Sequence, residues 1–127
     1  MKLSTRIPPI YLVLKKKFGI NWDKGVIITY GNVVYCKFEI SPDLIVHEQT
    51  HIKQQLDYGV EKWWDRYLED KDFRLSQELE AYKNQANYLK EKKPKGYYDR
   101  LEKICKDISS SMYGNIISYE EASNLIF

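Results

Sequence analysis

The only two histidines of the chain stand four residues apart, in His47-Glu48-Gln49-Thr50-His51. On an α-helix, residues at i and i+4 lie one above the other on the same face, so two imidazoles at this spacing can grip one metal ion. Glu48 directly follows the first of them, where a carboxylate can take a proton from a water activated by that ion. The chemistry this pattern points to is metal-assisted hydrolysis. The string is short, so its meaning depends on whether the surrounding chain forms a helix there and brings up further ligands.

The lead-in Ser41-Pro42-Asp43 predicts a helix start: Ser41 can cap, Pro42 suits the first helical position and Asp43 suits the positive end of the dipole. The helix is expected to run through both histidines to about Tyr58, where Gly59 stops it. Before it, Val26 to Tyr30 and Val33 to Phe38 are rich in β-branched and aromatic residues and flank Gly31-Asn32, the pattern of a β-hairpin. Its second strand is expected to run on through Glu39-Ile40 towards the motif. After it, Val60, Trp63, Trp64, Tyr67 and Leu68 follow helical spacing and read as a core stripe. A long helix is expected over Asp72 to Lys92, with the apolar stripe Leu75, Leu79, Tyr82, Ala86 and Leu89, broken by Pro94 and Gly96. Shorter helices are expected over Ile10 to Phe18 and Tyr97 to about Ser109, and after Ser118, which can form a capping box with Glu121. The fold class is therefore α+β: one helix-rich domain over 1–127, with a small antiparallel sheet (hairpin about 26–38) packed on the motif helix and on a long glutamate-bearing helix. Its core is expected at about 20–95 and a C-terminal tail at about 109–127.

Zinc held by two histidines of one helix needs a third protein ligand and leaves a fourth position for water. No histidine remains, so Asp, Glu or Cys must serve. Glu78 and Glu80 on the long helix are the candidates. At about 100° per residue, Glu78 lies roughly 70° from the centre of the apolar stripe and Glu80 roughly 130°. Glu78 is preferred and Glu80 is the alternative. Gln54 and Gln55, about one turn after His51, can orient a ligand by hydrogen bonding, although polar helix surface is the commoner role.

Lys+Arg is 20 and Asp+Glu 18, a net charge of +2, which gives no bias towards a polyanion. The runs Lys15-Lys16-Lys17 and Lys90 to Lys95 read as solvated faces, and no nucleic-acid partner is expected. The apolar run Ile10 to Leu14 is too short to span a bilayer, and with prolines before it and lysines after it makes a poor signal peptide. A cytoplasmic protein with no membrane partner is expected. Cys36 and Cys105 form no C-x-x-C pair and suit a reducing compartment.

His47-Glu48-x-x-His51 followed by a glutamate on a later helix resembles the gluzincin metallopeptidases. Glu78-Leu79-Glu80-Ala81-Tyr82 is similar to the E-x-E-A-D segment of gluzincins related to the CAAX-processing proteases, with Tyr82 where that pattern has aspartate. With the hairpin and the Ser41-Pro42-Asp43-Leu44 lead-in, the stretch from about Val26 to Leu89 resembles the minimal gluzincins, including small bacterial and phage proteins. The resemblance implies a zinc-dependent peptidase acting on a peptide or protein substrate. His47, His51 and the first glutamate, Glu78, would be metal ligands and Glu48 the general base. It also implies that the strand Val33 to Ile40 edges the cleft and pairs with the substrate. Tyr82, one turn from Glu78, is a candidate donor to the oxyanion. Two other readings stand beside this one. One is a non-catalytic zinc module closed by Cys36 as a fourth ligand. The other is a peptidase silenced by its own tail, from about Ser109 to Phe127, folded across the cleft.

Overall fold

The computed structural model describes residues 1–110 and 113–127. In chain order the elements are β1 (Lys2–Ser4), α1 (Tyr11–Phe18), one turn of 3₁₀ helix (Trp22–Lys24), β2 (Ile27–Tyr30), β3 (Val33–Cys36), α2 (Pro42–Tyr58), α3 (Val60–Glu69), α4 (Lys71–Lys92), α5 (Tyr97–Ile108) and α6 (Tyr119–Ile126). This is a helix-rich α+β fold with a small sheet.

The hairpin forms as its composition predicts, and Gly31 makes the turn at φ 62°, a backbone region open to glycine. The sheet is nevertheless larger than a hairpin. β1 adds to it in parallel on the far side of β3, with Leu3 opposite Val34, giving the order β1-β3-β2. Two expectations change as a result. The second strand ends at Cys36 and does not continue through Ile40. It is also the central strand, with both sides paired, so it cannot be the edge offered to a substrate; β2 is the edge on the motif side.

Pro42 opens α2 and Gly59, at φ 101°, separates it from α3. Ser41 occupies the N-cap position, but its hydroxyl donates to Asp43 Oδ1 (2.8 Å) and does not reach back to a helix N–H. Asp70, a residue the sequence reading passed over, caps α4 through the N–H groups of Asp72 and Phe73 (3.0 Å each). At the other end of the chain the Ser118–Glu121 capping box is formed.

The apolar core has two parts. One gathers Tyr11 and Leu14 of α1, Trp22, Ile28, the α3 residues Trp63, Trp64 and Tyr67, and Phe73. The other joins Ala86 and Leu89 of α4 to Leu101, Ile104 and Ile108 of α5 and Ala122 and Ile126 of α6. α2 packs along α4. The buried polar residues of that seam (Asp43, His47, His51, Gln54, Glu78 and Gln85) belong to neither apolar cluster. Buried polar groups persist only when hydrogen-bonded or charge-paired, so the residues of this seam have to satisfy one another.

Candidate metal centre

α2 carries Asp43, His47, His51 and Gln55 at successive i+4 positions, all buried, so helical geometry alone sets them in one row. α4 answers with Glu78 and Gln85. His47 Nε2 lies 3.2 Å from Glu78 Oε1, His51 Nε2 lies 3.0 Å from the same oxygen, and the two Nε2 atoms are 3.1 Å apart. Among the described residues, His47, His51 and Glu78 are the group whose donor atoms come together as a metal site would require. Glu80 is not in the group; its Oε1 accepts from Gln54 Nε2 at 3.1 Å. Cys36 is buried at the end of β3 and is likewise outside it.

The bonds on the far side of each ring decide what the near side offers. His47 Nδ1 meets Gln85 Oε1 at 3.0 Å, and the Gln85 amide nitrogen donates to Asp43 Oδ2 at 2.8 Å. Asp43 is held in turn by Arg100 (2.8 Å) and Ser41. His51 Nδ1 meets Gln54 Oε1 at 2.8 Å, and the Gln54 amide nitrogen donates to Gln77 O and Glu80. Each glutamine nitrogen is committed to an acceptor, so each glutamine oxygen must face its histidine, and Nδ1 of each ring must carry the hydrogen. Both Nε2 atoms of the neutral rings then present lone pairs, and they present them to each other and to a carboxylate oxygen. Three acceptors within 3.0–3.2 Å repel unless a cation or a proton lies between them. Two imidazole nitrogens and one carboxylate, with outer partners that fix the tautomers, form a donor set that could hold a metal ion.

Glu78 is oriented from its other oxygen: Tyr67 donates to Oε2 at 2.6 Å. Burial alone would raise the Glu78 pKa, but the facing charge of His51 and the bonds from both imidazoles hold it well below the usual carboxylate range. His51 shows the reverse balance. Burial opposes its charge, yet Glu78 and then Glu48 draw its pKa up to about 9 in the metal-free chain. Glu48 is buried, its Oε1 accepts from Thr29 Oγ1 at 3.1 Å, and its Oε2 lies 3.9 Å from His47 Nε2. Burial raises its pKa against the opposing pull of the two histidines. Tyr82 stands edge-on to His47 (ring centroids 4.4 Å) with its hydroxyl 3.3 Å from that of Tyr113. Burial lifts both phenol pKa values well above 10, so both remain O–H donors at neutral pH.

These residues open onto a cleft of about 600 Å³. One end is apolar, with Leu14, Phe18, Ile20, Val26 and Ile28. The other is walled by α5 and the segment after it, through Lys103, Asp107, Ser110 and Tyr113. Of the tail that one reading folds across this cleft, and that can equally be a packed C-terminal helix, α6 packs on α4 and α5, with Ala122 and Ile126 fully buried. Only Ser110 and Tyr113 of that stretch line the cleft, while Ser111 and Met112 lie outside the described residues.

Sequence reasoning singled out His47, Glu48, His51, Glu78, Tyr82 and Gln54, and the structure brings all six to this cleft or its immediate support. Gln55 turned out to serve the sheet: it donates to Thr29 O (2.8 Å) and accepts from Gly31 N (2.7 Å). Thr29, Tyr67, Gln85 and Tyr113 were missed. Gln85 had a detectable signal, since it lies seven residues after Glu78 and hence on the same face of α4. No family model, curated protein or solved structure matches the chain.

Proposed function

We propose that this protein is a zinc-dependent peptidase that hydrolyses peptide bonds with Glu48 as general base. The observation that carries the reading is the convergence of three acceptor atoms, on His47, His51 and Glu78, beside a buried fourth group, the Glu48 carboxylate, in a cleft. Zinc held there would supply a Lewis acid and bring the pKa of a water it binds to about 7. Thr29 holds Glu48 Oε1, which leaves Oε2 to accept a proton from the attacking water and return it to the leaving amine. The raised Glu48 pKa suits that exchange. Tyr82 and Tyr113 are the hydroxyl donors available to a developing oxyanion. Gln55 already pairs with Thr29 O and Gly31 N; the remainder of the β2 edge suits an extended peptide, held by main-chain bonds.

The test is metal content and peptide hydrolysis measured on the same preparations. Wild type should hold one zinc per chain and cleave an unfolded protein such as casein; Glu48→Gln should hold the same zinc and cleave nothing. Hydrolysis that survives in Glu48→Gln sinks the mechanism, and wild type that holds no metal sinks the site. A non-catalytic zinc module would need four protein ligands. X-ray absorption showing a sulfur neighbour would favour that module.

A further inference from the structure

The strongest feature outside the cleft is the outer face of α1. Leu12 is 76 % exposed and Val13 48 %. With Lys16 and Lys17, one turn further along, they line a shallow groove on the surface. The charge pattern along this end of the chain is one-sided. Lys2, Arg6, Lys15, Lys16 and Lys17 all precede the first acidic residue, Asp23, in a chain whose net charge is only +2. The remainder of the molecule is therefore net negative. Leu3 and Ile7, in the same acid-free stretch, are also exposed.

We propose that the outer face of α1 docks on an anionic lipid surface, with Leu12 and Val13 entering the headgroup region and the lysines meeting lipid phosphates. An exposed apolar pair with Lys16 and Lys17 beside it, on a helix that carries no acidic residue, is complementary to such a surface in both polarity and charge. A second copy of the same face is disfavoured, because it would set lysine against lysine. A nucleic acid is disfavoured because the helix's aromatic residues do not form an outward stacking platform: Tyr11 is buried and Phe18 lines the cleft. No described helix is long and apolar enough to cross a membrane, so the contact is peripheral. This surface contact departs from the expectation of no membrane partner, since neither a spanning segment nor a signal segment is needed for it. Leu14 and Phe18, on the inner side of the same helix, line the cleft; docking would bring one cleft wall close to the lipid. The docking does not rest on the metal reading.

The experiment is co-sedimentation of the full chain with vesicles of phosphatidylcholine alone and of phosphatidylcholine with phosphatidylglycerol, at low and raised salt. Binding is expected only to the mixed vesicles and should weaken with salt. Leu12→Ser with Val13→Ser, and separately Lys16→Gln with Lys17→Gln, should each weaken it about tenfold or more. All four side chains lie at the surface, and circular dichroism checks that both variants keep the wild-type fold. No binding to the mixed vesicles overturns the proposal, as does wild-type binding by either variant. Capture by polyglutamate that is indifferent to Leu12 and Val13, with no vesicle binding, would instead make this a site for an acidic protein. Chelator should change none of these results, so failure here is separable from failure of the metal site.

Discussion

A single carboxylate oxygen shared by two imidazoles is the decisive contact. Glu78 and Glu80 are two residues apart on one helix, and the difference in direction separates them: Glu78 Oε1 faces both Nε2 atoms, while Glu80 holds the Gln54 amide. Glu78→Ala should reduce retained metal to background, and Glu80→Ala should leave stoichiometry unchanged. The reverse result, read by metal analysis after gel filtration, would move the third ligand to Glu80. Tyr67 gives a subtler case. Its 2.6 Å bond fixes the second oxygen of Glu78, and outer partners of this kind are worth about 10–100-fold in metal affinity. Tyr67→Phe keeps the ring that stacks on Trp63 and removes only the hydroxyl. Competition with a zinc chelator should show affinity about tenfold weaker with an unchanged circular dichroism spectrum; unchanged affinity would reduce Tyr67 to a packing role.

At the scale of elements, α2 and α4 each deliver a ligand set and the glutamines that aim it. Gln85, one turn beyond Tyr82, accepts from the His47 ring and is itself held by Asp43, which pairs with Arg100. Gln85→Leu should cost about 10–100-fold in metal affinity, whereas Gln85→Glu, which still accepts from Nδ1, should recover part of it. Equal loss in both would mean that the amide bond to Asp43, which neither variant keeps, matters more than the bond to His47. Gln55 ties α2 to the sheet by imitating a strand neighbour. Gln55→Leu strands the Thr29 carbonyl and the Gly31 N–H and should lower unfolding free energy by about 1–3 kcal/mol, measured in urea. What the sequence made legible follows from range. Pro42 at the start of α2, the Ser118–Glu121 capping box, the hairpin turn and the i+4 histidine pair are local patterns and form as read, whereas the Ser41 cap does not. β1 joins β3 across some thirty residues of chain, and no local pattern announces a three-residue strand. Tyr67 was hidden because an aromatic at helical spacing looks the same whether it packs or donates a bond. Gln85 was hidden because α4 buries two faces, one against α2 and one against α5 and α6, so a single apolar stripe gave only half of its buried surface.

For the molecule as a whole, the charged seam makes stability, pH and metal interdependent. His51 has a pKa of about 9 in the metal-free fold against 6.5 for the free side chain. A pKa raised on folding stabilises the native state fully below the unfolded value, and that contribution disappears as pH rises through the folded one. The metal-free protein should therefore lose stability between about pH 6.5 and about pH 9. Zinc held at the proposed site would compete with the same proton for the same nitrogen, so over that window its binding should strengthen as the proton leaves. The two trends have opposite signs. The gap between the melting temperatures of zinc-loaded and chelator-treated protein should widen steadily from pH 6.5 to pH 9, at fixed zinc concentration, as mass action requires of any ligand that binds only the native state. In His51→Ala the metal-free decline over this range should largely disappear, because the group that titrates is gone. A gap that stays constant in wild type, or narrows, would mean that no proton is exchanged for metal at His51, and the shared site on α2 and α4 would have to be given up.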